Sequence, residues 1–180
     1  MIVVCGDLAL RPARQVSVVR LAARAVGAGV AVQAVGVVSD DAEGDRRIHE
    51  LVVARVGHAA VLRGPMRPLD AADVDLALRY LADVRVVVTV GLAGAAVASA
   101  AERATWGGAT LIVVNSPGST GNGTEVGALP EGAIALEAPA SDPDGTFAGF
   151  VGSLAARLDG GATPADAWAA TTRELAVDPV

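Results

Sequence analysis

Short, continuously apolar, Val-rich runs alternate along this chain with longer Ala-rich segments of helical periodicity. No other feature constrains the fold as much. The runs are Ile2–Cys5, Val30–Val38, Ala59–Leu62, Val84–Val90, Thr110–Val114 and the less apolar Ala133–Leu136. A strand with one wet face alternates apolar and polar residues, whereas a run that is apolar at every position suits a parallel strand covered on both faces. Between the runs, Val16, Val19, Ala23 and Val26 recur at helical spacing, as do Ile48, Leu51, Val52 and Val56, and then Val74, Ala77, Leu78 and Leu81. A further helix is expected over Ala93–Trp106. Asp70, with Asp73 three residues on, reads as an N-cap, and Gly27, Gly57 and Gly107–Gly108 stand where helices should stop. The order is βαβαβ, then αβαβ, then two closing helices. It predicts a single three-layer α/β/α domain over residues 1–180 with a mostly parallel central sheet. The stretch 115–127, NSPGSTGNGTEVG, is rich in Gly, Ser, Thr and Asn and reads as a flexible loop.

Composition narrows the chemistry. Hydrophobic residues make up 52% of the chain and aromatics only 3%, so the core must be built from Ala, Val and Leu. A net charge of −6 leaves no basic stripe to neutralise nucleic-acid phosphates. All 14 basic residues are Arg, which excludes a P-loop lysine, a Schiff-base lysine and a lysine general base. The single cysteine, Cys5, cannot form an internal disulfide and sits in an apolar run, so it reads as a core residue of a protein in a reducing compartment. His49 and His58 lack metal-ligand spacing and read as surface or half-buried helix residues. No apolar run is long enough to span a membrane, and the first residues lack the charged region of a signal peptide. The expectation is a cytoplasmic protein with neither a membrane nor a nucleic acid as partner.

Pro139–Trp168, PASDPDGTFAGFVGSLAARLDGGATPADAW, is a Gly-containing loop that opens into an Ala-rich helix, a turn and a second helix. Thr163-Pro164-Ala165-Asp166 caps the second helix. The first loop would aim the backbone N–H groups of Gly145, Thr146, Phe147 and Ala148 at an anion or phosphate. Turn formation and helix capping are the simpler roles for Asp142 and Asp144. The stretch resembles the C-terminal signature of the PfkB (ribokinase-like) carbohydrate kinases, D-T-x-G-A-G-D-x-F-x-G. Asp142, Gly145, Phe150 and Gly152 match, but the catalytic Asp of that signature falls on Ala148.

The resemblance continues upstream. Gly36, Asp40, Asp41 and Gly44 match the G-x-V-G-D-D-x-x-G that opens the family's second helix, a mainly structural motif. Met66–Gly91 is similar to the helix and strand after the family's substrate lid, and Asn115-Ser116-Pro117 to its N-P-x-P. Gly6 and Asp7 are kept from the opening G-(D/E)-x-x-x-D, but the last Asp is Arg11. Positions corresponding to G-G-x-x-x-N, near Ala13, Arg14 and Val18, carry none of those groups. Between Leu62 and Arg67 there is no room for the lid hairpin, and between Pro117 and Pro139 the N-x-x-E motif and the nucleotide-contacting strands are missing.

The resemblance therefore implies a shortened, degenerate ribokinase-like member with the lid and part of the nucleotide region lost. Asp7 and Asn115 are then candidate substrate-binding residues, and Gly145–Ala148 a candidate phosphate site. Two functions stay open. One is a binding or interaction module without kinase activity, self-associating as a homodimer and taking an anion or nucleotide. The other is a minimal ATP-dependent sugar or nucleoside kinase with Asp144 as base, for which ATP and Mg²⁺ would be the cofactors. Three further features have double readings. Val90-Gly91-Leu92-Ala93-Gly94 could cradle a phosphate or pack a helix on a strand. Asp40 and Asp41 could hold a metal or cap a helix. Arg11 and Arg14 could bind an anion or merely face solvent.

Overall fold

The computed structural model describes residues 1–8, 16–117 and 129–177, with the backbone alone for 175–177. Arg11, Ala13, Arg14 and most of the Gly/Ser/Asn-rich stretch lie outside the described residues. The elements run β1 (Ile2–Gly6), α1 (Val18–Gly27), β2 (Val32–Val38), α2 (Ala42–Val53), β3 (Gly57–Arg63), α3 (Ala71–Tyr80), β4 (Val86–Val90), α4 (Gly94–Gly107), β5 (Thr110–Asn115), β6 (Ile134–Glu137), α5 (Thr146–Asp159) and α6 (Pro164–Val177). The six strands form one sheet in the order β3-β2-β1-β4-β5-β6, and every pairing is parallel.

The apolar runs serve two cores at once. Along β1, Ile2 and Val4 pack on one face, beneath α1, α2, α5 and α6. Val3 and Cys5 pack on the other, beneath α3 and α4. β4 and β5 divide in the same way, with Val86, Val88, Ile112 and Val114 on the first face and Val87, Leu111 and Val113 on the second. This explains why alternation is absent from their sequence. Burial pushes the Cys5 thiol up to about 12, so it is an inert core group and no nucleophile.

Helix starts follow the local chemistry that the sequence announces. The Asp41 carboxylate accepts from Glu43 N (2.9 Å) and Gly44 N (3.0 Å) and from Ser39 Oγ (2.6 Å). These bonds, that of Ser39 foremost, hold its pKa below the usual carboxylate range. A Cβ on Gly44 would lie 1.8 Å from the Ser39 carbonyl oxygen, so only glycine fits this turn. Asp40 is exposed and its Oδ1 lies 3.7 Å from Arg63 Nη1. The adjacent pair is thus a cap and a surface ion pair. Among the described residues no group of three or more His, Cys, Asp and Glu is placed to hold a metal. Asp70 and Asp73 form a reciprocal capping box at α3.

One boundary differs from expectation. α2 stops at Val53, so Val56 lies outside it and Gly57 begins β3. The left-handed residue after this helix is Arg55, at φ 57°. A Cβ on Gly57 would lie 2.3 Å from the amide end of the Gln33 side chain, which would have to move aside, where the β2–β3 register shifts. His58 accordingly sits on a strand rather than a helix, half-buried, while His49 is exposed on α2.

On the opposite flank Gly152 lets α1 and α5 close on each other. A Cβ on it would lie 2.5 Å from the Leu21 carbonyl oxygen and 2.9 Å from Arg24 Cβ. Phe150 stacks edge-to-face on Trp168 of α6, with ring centroids 5.1 Å apart.

Candidate functional site

The strand order reverses between β1 and β4. β1 leads outward to β2 and β3, and the chain then returns to lay β4, β5 and β6 on its other side. In an open parallel sheet the loops leaving the C-terminal strand ends diverge at such a point and leave a crevice, the usual ligand position. A cavity of about 290 Å³ lies there. β1 contributes Gly6 and Asp7, β4 Val90 and Gly91, β5 Asn115 and Ser116, the chain after β6 Ala138 and Pro139, and the β3–α3 connection Met66 to Leu69.

Two glycines shape it. A Cβ on Gly6 would lie 2.7 Å from Val18 Cγ2, so this glycine lets the first turn of α1 approach β1. Gly91 adopts φ +62°, where a side chain is strained, and a Cβ there would lie 3.0 Å from Ser116 Oγ. The Val90–Gly94 stretch is thus a wall of the cavity. Asp7 and Asn115, far apart in sequence, line the same space. Asn115 also joins β5 to the chain beyond β6 by accepting from Ala138 N at 2.9 Å.

Arg67 is a charged lining residue that the sequence does not single out as a site candidate. Its Nη1 donates to Asp73 and, at 3.2 Å, to the Pro68 carbonyl, while Nη2 donates to Asp73 Oδ1 at 2.8 Å. The paired guanidinium holds the Asp73 carboxyl below its ordinary pKa. The available signal was the spacing: Arg67 stands three residues before a capping box whose second acid it shares.

The start of α5 is built differently. Gly145 is the N-cap at φ 74°. Phe147 N donates to Asp142 Oδ1 at 3.0 Å and Ala148 N to Asp142 Oδ2 at 2.9 Å. Two of the amides considered for an external phosphate therefore already face an internal carboxylate. Gly149 N bonds the Gly145 carbonyl at 2.7 Å in the ordinary helical way. From outside, Arg20 Nη1 donates to the Pro143 carbonyl at 2.6 Å, and its side chain fills the space where Gly145 would carry a Cβ. Thr146 and Asp144 are exposed and Ala148 is fully buried. Asp144, Gly145, Thr146, Phe147 and Ala148 are all absent from the cavity lining. The structure thus unites Asp7 with Asn115 and keeps the α5 start apart from them.

No family model matches this chain, and no curated protein matches it in sequence. Solved structures do match in fold. The structure named Sa239 superposes with a TM-score of 0.64 at 14% identity, covering 99% of this chain and 94% of that one. A protein assigned as ribokinase II of E. coli, in complex with ATP and Mg²⁺, gives 0.61 at 13% identity, with coverages of 94% and 89%. A protein assigned as a phosphofructokinase of Staphylococcus aureus gives 0.55 at 10% identity, with coverages of 95% and 89%. At these identities the likeness speaks for architecture alone. The chain has the ribokinase-like α/β fold, and two of these three neighbours carry the names of carbohydrate kinases.

Proposed function

We propose that this protein is a small-molecule-binding module on a ribokinase-like scaffold that does not transfer phosphoryl groups, a reduced relative of the sugar kinases. The observation that carries the reading is the Asp142 carboxylate on the amides of Phe147 and Ala148. Phosphoryl transfer needs a base beside the accepting hydroxyl and donors aimed at the moving phosphoryl. Here a fixed negative charge occupies the helix start that would supply the donors. The position of the catalytic Asp in the resembled signature is a buried alanine, and the remaining candidate base, Asp144, stands outside the cavity. The strand-end cavity, with Asp7, Asn115 and Arg67, keeps the features of a binding site. The reading includes self-association, for which the outer edge of β3, with no further strand beside it among the described residues and Leu62 exposed, is the natural surface.

A coupled ADP-production assay with Mg·ATP over a panel of sugars and nucleosides tests this reading. The expected result is no turnover above buffer. Turnover abolished by Asp144→Asn would instead establish a minimal kinase with Asp144 as base.

A further inference from the structure

Arg67 is held at one edge and open at the other. Asp73 takes the end-on pair of guanidinium donors, one from Nη1 and one from Nη2, and the Pro68 carbonyl takes a second hydrogen of Nη1. The side-on pair, Nε–H and the neighbouring Nη2–H, makes no hydrogen bond among the described residues. Two parallel N–H groups on a planar, always-charged fork match the two oxygens of a carboxylate. The fork is also preorganised. Asp73 is fixed by the capping box of α3, donating its N–H to Asp70 and accepting from Asp70 N. Both acids sit at the positive end of that helix, and Arg67 Nη1 also lies 3.7 Å from Asp70 Oδ2, so a ligand would share the guanidinium with these acids through its side-on edge.

We propose that the strand-end cavity takes a small aliphatic carboxylate, with Arg67 as the residue that receives its carboxyl group. This rests on the reading of that cavity as a binding site. Carboxylate is favoured over phosphate by the walls. Val16, Val37, Leu69, Leu92 and Val114 present hydrocarbon, and the Asp7 carboxylate in the same lining repels a doubly charged phosphate more than a singly charged carboxylate. At about 290 Å³ the space lies at the small end of the usual ligand range of about 300–1,000 Å³.

The test is titration calorimetry of the full chain with isovalerate, its uncharged amide isovaleramide, and inorganic phosphate. Isovalerate is expected to saturate and to bind about tenfold tighter than the amide, with phosphate weaker than both. Arg67→Lys keeps the charge and loses the fork, so isovalerate should weaken by about tenfold and isovaleramide, which can take only one of the two donors, by less. Asp73→Asn separates positioning from charge. Weaker isovalerate binding supports a held fork, and tighter binding contradicts it. Equal affinities for acid and amide in the unaltered protein overturn the proposal without any variant. So does failure of isovalerate to saturate, or phosphate binding more tightly than isovalerate. A neutral sugar that saturates while isovalerate does not would sink this inference and leave the binding-module reading standing. ADP production would sink that reading itself.

Discussion

The strand-end cavity and the start of α5 are both places where a ribokinase-like fold can meet a ligand, and this chain treats them oppositely. At the cavity, polar groups from separate strand ends converge on open space, and Arg67 is oriented by Asp73 yet keeps donors unused. At α5, the donors are satisfied from within by Asp142, the loop is pinned by Arg20, and the helix is packed tightly on α1 through Gly152. The contrast teaches that a helix N-terminus is an anion site only while its amides are free. A single acid placed three to six residues upstream converts it into a structural joint.

Substitutions should separate the joint from the site. The largest effect is expected for Gly152→Ala, whose methyl would press on the Leu21 carbonyl from 2.5 Å. A loss of about 1–3 kcal/mol should appear in urea unfolding, and an unchanged midpoint would mean that the α1–α5 crossing is looser than described. Next comes Asp142→Ala, which strips two amides of their acceptor and should cost about 1–2 kcal/mol with cavity binding unaltered. Gly91→Ala belongs to the cavity side. Its positive φ makes a side chain cost about 1–2 kcal/mol, and because the methyl points at Ser116 it should also perturb ligand binding, as Asp142→Ala should not.

The smallest effect is a pH dependence. The folded-state pKa of Asp73 is depressed, chiefly by its hydrogen bond from Arg67. An unfolded Asp titrates near about 3.9, so the unfolded chain binds the proton first as pH falls. The stabilisation from this group is therefore present above about pH 4 and is lost as pH falls through the lower folded value. Thermal melts between neutral pH and the acid limb should show a shallower acid decline for Asp73→Asn. Identical slopes would mean that the Arg67–Asp73 pair is not formed in solution.

How far the sequence reveals these features depends on whether the physics is local. Continuous apolar runs announce β1, β2, β4 and β5 because burial on both faces leaves no room for polar alternation, whereas β3 and β6, at the ends of the strand order, are half-exposed and less plainly marked. Asp41, Asp70 and Thr163 announce their helix starts because a cap acts within three residues. Gly57 misleads because it stands in β3 against a neighbour on β2, Gln33, more than twenty residues away. Asp142 was legible as a cap, but that its carboxylate would occupy the amides of both Phe147 and Ala148 depends on the path of the loop. The cavity is hidden for the same reason. Asp7, Arg67 and Asn115 meet only through the strand order.

The most direct test follows the backbone amide resonances of Phe147 and Ala148 by two-dimensional NMR while Mg·ATP is added, with Gly91 and Asn115 as reporters of the cavity. The account expects Phe147 and Ala148 to stay fixed throughout, held by Asp142, and the cavity reporters to move only when a cavity ligand is supplied. Saturable shifts of Phe147 and Ala148 with Mg·ATP, accompanied by release of Asp142, would contradict it.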